Sequence, residues 1–124
     1  MKLNHVALVA SSQEHADRFY EGLLKLKKIK VSRLTRDLAV QVFGFDLECP
    51  FILYGNEQFG LEVFVTDQMA VGSMTVSHIC LQVEDREAFI TECRSAGVEV
   101  LLIPRGESQL CFVRDLDGNL FEIK

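Results

Sequence analysis

The sequence repeats one pattern in its two halves, and this repeat limits the folds that the chain can adopt. An alternating segment with a histidine near its start, Asn4-His5-Val6-Ala7-Leu8-Val9, opens the first half, and Ser77-His78-Ile79-Cys80-Leu81-Gln82-Val83 opens the second. A segment of helical periodicity and several short β-rich runs follow in each half. In a chain of 124 residues this repeat predicts one domain of two βαβββ modules: module one at about 1–67, a connector at about 68–74 and module two at about 75–124.

The first half begins with a predicted strand over 3–10 and a helix capped by Ser11 and Ser12. One apolar stripe at helical spacing marks that helix: Ala16, Phe19, Tyr20, Leu23 and Leu24. The runs that follow are rich in β-forming residues: Val31 to Leu34, Leu38 to Phe45, Phe51 to Tyr54 and Leu61 to Thr66. A βαβββ module needs only three such runs after its helix, and the pattern does not identify the additional one.

The second half shows the same order without the additional run. We predict a strand from Thr75 to Val83 and a helix that is capped by Asp85 and ends before Gly97. The strands that follow are Val98 to Ile103, Gln109 to Arg114 and Asn119 to Ile123. Asp117-Gly118-Asn119 is typical of a tight turn between the last two. A ferredoxin-like sandwich has only two or three strands per helix, so the strand count disfavours it.

Four side chains at matched positions are candidates for a functional site. Side chains alternate along a strand, so His5 and His78 should point away from the residues that pack on the helices. The strands that close the two halves each carry one carboxylate, Glu62 and Glu122, amid apolar residues. Alternation places both carboxylates on the same side as the histidines. A lone histidine in a strand is usually a hydrogen-bonded structural residue, but the matched positions in two halves make these two candidates for a functional site.

Composition excludes several classes of function. The formal net charge is −5, and no long basic cluster is present that would bind nucleic acid phosphates. The N-terminal segment lacks the apolar region of a signal peptide, and no apolar run approaches the length of a bilayer span. We therefore expect a cytoplasmic protein that binds neither nucleic acid nor membrane. The cysteines are widely spaced, which predicts reduced and mostly buried thiols, and we interpret Cys80 as a filled core position rather than a pocket-lining thiol.

The sequence resembles the vicinal oxygen chelate superfamily, which includes glyoxalase I, bleomycin resistance proteins and extradiol dioxygenases. The residues that carry the resemblance are Leu3-Asn4-His5-Val6-Ala7-Leu8-Val9, Phe19-Tyr20 with Leu23-Leu24, Val76-Ser77-His78-Ile79, and Asp115-Leu116-Asp117-Gly118-Asn119-Leu120-Phe121-Glu122. The resemblance covers nearly the whole chain. It implies an α+β fold in which two βαβββ modules form an open, cup-shaped barrel of mixed β-sheet. It also implies homodimers, which are common in this superfamily.

The resemblance further implies a divalent metal in the cup. Carried over by position, His5, Glu62, His78 and Glu122 match the ligand set of the glyoxalase I branch, and Glu62 or Glu122 matches its catalytic base. Two imidazoles and two carboxylates suit Ni, Zn, Fe, Mn or Co. A metal that chelates vicinal oxygens polarises a carbonyl, while a carboxylate moves a proton between adjacent carbons. The implied function is a glyoxalase I-like enzyme that isomerises or cleaves a small chelating substrate, such as a thiol adduct.

Other functions within this superfamily stay open. An extradiol dioxygenase needs only two histidines and one carboxylate on Fe(II), and His5, His78 and Glu122 would satisfy that requirement. A bleomycin-type binding protein lacks the metal ligands, and their presence here argues against it. Methylmalonyl-CoA epimerases tend to use Gln at the place of Glu62, and the basic loop of fosfomycin-modifying enzymes is not recognisable. Arg33, Arg36, Arg105 and Arg114 are candidates to bind an anionic substrate.

Overall fold

A computed structural model describes residues 5–44, 46–68 and 78–124. The chain divides into two compact units, Met1–Met69 and Ala70–Lys124. Most of the predicted connector and the beginning of the predicted strand from Thr75 lie outside the described residues. Each unit contains a helix and a mixed four-stranded sheet, which confirms the predicted α+β class and the repeated βαβββ order. Within the described ranges, no helix is long and apolar enough to cross a membrane.

In the first unit, the first and last strands pair in parallel at one end of the sheet, whose strand order is β1-β4-β3-β2. Its elements are β1 (His5–Ala10), α1 (Gln13–Ala16), a π-helix (Asp17–Leu23), β2 (Lys27–Leu34), α2 (Arg36–Phe43), β3 (Cys49–Gly55) and β4 (Gly60–Val65). Ser12 caps α1 by accepting a hydrogen bond from the His15 amide, as predicted. The predicted stripe is buried at Ala16, Phe19 and Tyr20.

The predicted strand from Leu38 to Phe45 is wrong, because this segment is helix α2. The segment is a short apolar run that includes Val40 and Val42, which is typical of a strand, but its ends carry helix signals. The Thr35 hydroxyl accepts a hydrogen bond from the Leu38 amide, and Gly44 ends the helix with a φ of 76°. Ala39 is buried, whereas Val42 is 61% exposed. The additional run of the first half is therefore a helical insertion between two antiparallel strands.

The second unit repeats the topology of the first without the insertion. Its elements are β5 (Ile79–Leu81), α3 (Arg86–Ser95), β6 (Glu99–Arg105), β7 (Ser108–Arg114) and β8 (Leu120–Ile123), in the order β5-β8-β7-β6. Asp85 caps α3 through the Ala88 amide, as predicted. The described strand β5 ends at Leu81, two residues before the predicted end at Val83. The parallel pair β5–β8 is the counterpart of β1–β4.

Asp17, the first residue of the π-helix, links that helix to strands β2 and β3 through its carboxylate. Its carboxylate accepts hydrogen bonds from the Tyr54 hydroxyl at 2.7 Å and from Lys28 Nζ at 2.8 Å. Partial burial by itself raises the pKa of Asp17, but the hydrogen bonds from Lys28 and Tyr54 outweigh it and hold the pKa below its ordinary value of 3.8. The burial of Tyr54 itself, followed by its hydrogen bond to the negatively charged Asp17, raises the pKa of the Tyr54 hydroxyl. The charged form of Asp17 therefore stabilises the folded state.

We expect this contribution to be lost in acid. Because the folded pKa is depressed, the stabilisation is complete at pH values above 3.8 and falls as the pH drops through the folded pKa. Urea unfolding followed between pH 7 and pH 2 measures the dependence. Asp17→Asn should be less stable at neutral pH and should show a flatter pH profile than the parent chain. Equal slopes in the two proteins would contradict this role of Asp17.

Gly55 stands where a side chain does not fit. A Cβ at this position would lie 2.7 Å from the carbonyl oxygen of Phe59 and 2.9 Å from Cδ1 of Ile29. That carbonyl accepts a hydrogen bond from the Asn56 amide in the turn before β4, so it cannot move without cost. We expect Gly55→Ala to lower the free energy of unfolding by about 1–3 kcal/mol. Denaturant unfolding measures this, and Gly22→Ala, whose nearest neighbour would be at 3.6 Å, is the control expected to cause no loss.

Candidate metal-binding residues

The first unit brings His5 and Glu62 together on one face of its sheet. In the parallel pair β1–β4, Ala7 is the register partner of Glu62, and His5 lies two residues before Ala7 on the same face. The imidazole Nε2 of His5 is 3.6 Å from Oε2 of Glu62, and the side chains are 47% and 22% exposed. The distance between these two predicted residues is too long for a strong hydrogen bond.

The second unit repeats this arrangement with His78 and Glu122. Cys80 is the register partner of Glu122, and His78 lies two residues before Cys80, immediately before β5. The Nε2 atom of His78 is 3.4 Å from Oε2 of Glu122, and the side chains are 38% and 16% exposed. Two histidine–glutamate pairs of one kind thus stand at equivalent register positions in the two units. Period-two alternation predicted that these residues share a face within each unit, and the register between the strands sets which of them pair.

The opposite faces of the closing strands belong to the core. Leu61 and Val63 are buried on either side of Glu62, and Phe121 and Ile123 are buried on either side of Glu122. The carboxylates are therefore held by strands that are fixed through their apolar neighbours, whereas the carboxylates themselves remain partly exposed. A polar group in this setting contributes little to the stability of the core, so core packing does not explain the presence of either carboxylate.

Lys124 and three of the candidate arginines have anionic partners. Nζ of Lys124 lies 3.6 Å from the second oxygen of Glu122. Three of the four arginines considered for anion binding contact carboxylates: Arg33 with Glu48 at 2.6 Å, Arg36 with Asp46 at 3.1 Å, and Arg114 with Glu99 at 3.6 Å. These contacts compensate their charges locally. The structure therefore does not support these three as a dedicated anion site.

The donor atoms of each pair fit a shared divalent ion. Two ligand atoms at about 2.1 Å from one ion with tetrahedral angles are separated by about 3.4 Å, close to the separations in both pairs. Imidazole nitrogen and carboxylate oxygen are ligands that first-row divalent metals accept. Each pair supplies two ligands, and among residues 5–44, 46–68 and 78–124 no group of three or more candidate ligands is assembled. The metal role of the four residues accordingly remains a prediction.

In the second unit, the structure contradicts the prediction for Cys80 and confirms the predicted turn at Gly118. Cys80 is exposed on the face of His78 and Glu122, so its interpretation as a filled core position is wrong, while Cys49, Cys93 and Cys111 are buried as expected. A three-residue strand at the edge of the sheet order leaves this face of Cys80 uncovered. The turn before β8 is a hairpin connection, as predicted, with Gly118 at a φ of 92°.

Phe112 is the neighbour of the second pair that the sequence analysis did not consider. It is the register partner of Glu122 in β7, so it lies on the face of the candidate ligands. Its ring centroid is 5.8 Å from that of His78, with an interplanar angle of 80°. The signal was present in the sequence, because alternation along β7 separates Phe112 from the buried Cys111 and Val113.

Comparison with known proteins identifies the family. The sequence model of the Glyoxalase/Bleomycin resistance protein/Dioxygenase superfamily matches residues 2–123. A search among curated proteins finds no match. Similar solved structures include a glyoxalase family protein from Enterococcus faecalis, with 20% identity, a TM-score of 0.75 and coverage of 98% of this chain and 95% of that one. A glyoxalase family protein from Bacillus cereus has 17% identity, a TM-score of 0.76 and coverage of 99% and 92%.

The fosfomycin resistance protein FosX from Listeria monocytogenes is also similar. It has 17% identity and a TM-score of 0.72, with coverage of 99% of this chain and 91% of that one. An E126Q mutant of that protein has been solved with Mn(II) and 1S,2S-dihydroxypropylphosphonic acid. At these identities the structures establish the fold, which agrees with the α+β fold predicted from the sequence. By its sequence match and its fold, the chain belongs to the Glyoxalase/Bleomycin resistance protein/Dioxygenase superfamily.

Proposed function

We propose that this protein is a metal-dependent enzyme of the glyoxalase I-like type, with His5, Glu62, His78 and Glu122 as the ligands of one divalent ion. The observation that supports the proposal is the repeat of one histidine–glutamate arrangement at equivalent register positions in both units. Two carboxylates balance the charge of a divalent ion, and two imidazoles complete a mixed nitrogen and oxygen set. The substrate would be a small molecule that offers two adjacent oxygens.

In this proposal the histidines bind the ion, and one of the glutamates also transfers a proton. The bound ion would polarise a substrate carbonyl and stabilise negative charge on its oxygen. His5 and His78 would hold the ion through Nε2, which would leave the ring proton of each on Nδ1. A carboxylate oxygen of Glu62 or Glu122 accepts a proton from one substrate carbon and returns it to the neighbouring carbon. The partial exposure of both carboxylates gives a substrate access to them.

Two further properties belong to the same proposal. We propose a cytoplasmic location, because the acidic composition and the lack of a long apolar segment in the sequence suit it. We also propose a homodimer, because homodimers are common in this superfamily. Sedimentation equilibrium measures the second property directly, and a monomer at micromolar concentration in the presence of metal would contradict it.

Metal counting is the experiment that tests the proposal. Protein reconstituted with Mn(II), Ni(II) or Zn(II) should retain about one metal per chain after gel filtration. His5→Ala and His78→Ala should each abolish this retention, because each removes a ligand of the same ion. His15→Ala is the matched control, since this third histidine lies in α1 with Nδ1 at 3.2 Å from the Ser11 hydroxyl. It should retain the full metal content.

The outcomes separate the candidate functions. Absence of bound metal in the reconstituted parent chain would overturn the proposal and indicate a small-molecule binding protein of the bleomycin resistance type. With metal bound, isomerisation of hemithioacetals across a panel of thiols supports the glyoxalase-like reaction. Oxygen-dependent cleavage of catechols by the Fe(II) form would instead assign an extradiol dioxygenase. Fosfomycin with Mn(II) is a separate arm of the screen, because FosX is a structural neighbour.

A further inference from the structure

The two histidine–glutamate pairs differ in one neighbouring side chain. In the second unit, β8 lies between β5 and β7, so Glu122 stands between its register partners Cys80 and Phe112, and His78 lies two residues before Cys80. The rings of His78 and Phe112 nevertheless approach to 5.8 Å between centroids, in an edge-to-face arrangement at 80°. They must therefore reach toward each other across the strand that carries Glu122. Such aromatic pairs are favourable beyond the area that they bury.

The first unit has an aliphatic side chain at the equivalent place. Leu53 is the register partner of Glu62 in β3, as Phe112 is of Glu122 in β7. In the part of the chain that the structure describes, no aromatic contact to His5 accompanies its pair with Glu62. His5 is 47% exposed against 38% for His78, and Glu62 is 22% exposed against 16% for Glu122. The second pair is thus covered more fully than the first.

We propose that Phe112 is a positioning residue that holds the imidazole of His78 over Glu122 and makes the second pair the preorganised half of the metal-binding set. This inference rests on the proposed function, because it concerns the order of ligands for the same ion. It assigns unequal parts to two histidines that the sequence repeat presents as equivalent.

The physical reason lies in the entropy of the imidazole. A partly exposed histidine on a strand can rotate about two side-chain bonds, and a ligand must give up that freedom when it binds. A ring packed against the imidazole restricts the rotation before the metal arrives. Groups that orient metal-ligating histidines typically change metal affinity by about tenfold or more when they are removed. Phe112 makes a single edge-to-face contact with His78, so its removal should change the metal affinity by an amount at the lower end of that range.

Substitutions at the two equivalent positions test the inference. Phe112→Leu makes the second unit resemble the first, Phe112→Tyr keeps the ring, and Leu53→Phe supplies a ring to the first unit. The first readout is NMR relaxation of the His78 imidazole carbons in metal-free protein, which does not depend on metal binding. The second readout is the Zn(II) dissociation constant, measured by competition with a chromophoric chelator. Thermal unfolding of each variant reports any general loss of structure.

The expected pattern is specific to the aromatic ring. Phe112→Leu should lower the order parameter of the His78 ring and weaken Zn(II) binding by about three- to tenfold, whereas Phe112→Tyr should preserve both within about twofold. Leu53→Phe should raise the order of the His5 ring. If Phe112→Leu fails to fold, Phe112→Met and Leu53→Phe provide the same comparison.

Two results would separate this inference from the proposed function. An unchanged order parameter for His78 in Phe112→Leu, or equal losses in the Leu and Tyr variants, overturns the positioning role while metal binding by the parent chain stands. A looser His78 ring in Phe112→Leu, in a parent chain that binds no metal, supports the orienting contact and refutes the metal function. A lower affinity with unchanged ring order also counts against the inference.

Discussion

Replacing Glu122 with glutamine should lower the affinity for a divalent metal by about a hundredfold or more and change the free energy of unfolding by less than about 1 kcal/mol. Glutamine has nearly the same size, but it removes the negative charge that stands 3.4 Å from Nε2 of His78. The apolar neighbours of Glu122 on the opposite face, Phe121 and Ile123, keep their burial. Competition with a chelator measures the affinity, and urea unfolding of the metal-free protein measures the stability.

Glu99→Gln is the control for this substitution. Glu99 lies in β6 of the same unit, and its carboxylate pairs with Arg114 at 3.6 Å. It should leave the metal affinity within about twofold, because an exposed ion pair contributes little to a site that it does not touch. Equal losses of affinity in the two variants would show that the general negative charge of the unit, rather than Glu122 as a ligand, attracts the metal.

Asp115→Ala should have the largest effect on stability, a loss of about 3 kcal/mol in the free energy of unfolding. This carboxylate is only 6% exposed. Its Oδ1 accepts hydrogen bonds from the amides of Asp117 and Asn119, at 3.0 and 2.8 Å, and its Oδ2 accepts one from Asn119 Nδ2 at 2.7 Å. Removal of the carboxylate leaves buried donors in the hairpin turn without these acceptors. Chemical and thermal denaturation measure the loss.

Two variants of the same turn make this result interpretable. Asp115→Asn keeps one oxygen acceptor, so it should cost roughly half as much as the alanine variant. Asp117→Ala leaves in place the backbone amide that donates to Asp115, and we expect a loss below about 1 kcal/mol. If Asp115→Ala were no more damaging than Asp117→Ala, the hydrogen-bonded turn would not be the source of the stability.

Much of the fold follows from local patterns in the sequence. The caps at Ser12 and Asp85 and the turn at Gly118 use side-chain and backbone chemistry that acts over a few residues, so they could be recognised without the structure. Helix α2 was missed for the opposite reason. Its short apolar run with Val40 and Val42 is typical of a strand, whereas the helix signals, the cap at Thr35 and the stop at Gly44, lie at or beyond the ends of that run.

The sequence predicts which residues make up the candidate site, but not the distances between them or the residues that surround them. Alternation along strands places Glu62 and Glu122 on the exposed faces, because their neighbours at odd spacing must fill the core. The distances within the pairs depend on the register between strands that are distant in sequence, and nothing local determines that register. The contact of Phe112 with His78 reaches across an intervening strand, and the exposure of Cys80 depends on how little of the sheet surrounds it. Both are tertiary effects.

The parallel pairing of the opening and closing strands has a consequence for the order of folding. In each unit the histidine belongs to the first segment that leaves the ribosome and its glutamate to the last strand of the unit. The intervening helix and hairpins can form earlier from neighbouring segments, but the parallel pair requires closure of the longest loop in the unit. A histidine–glutamate pair therefore exists only after its unit has folded, so under the proposed function nascent or partly folded chains would bind metal weakly.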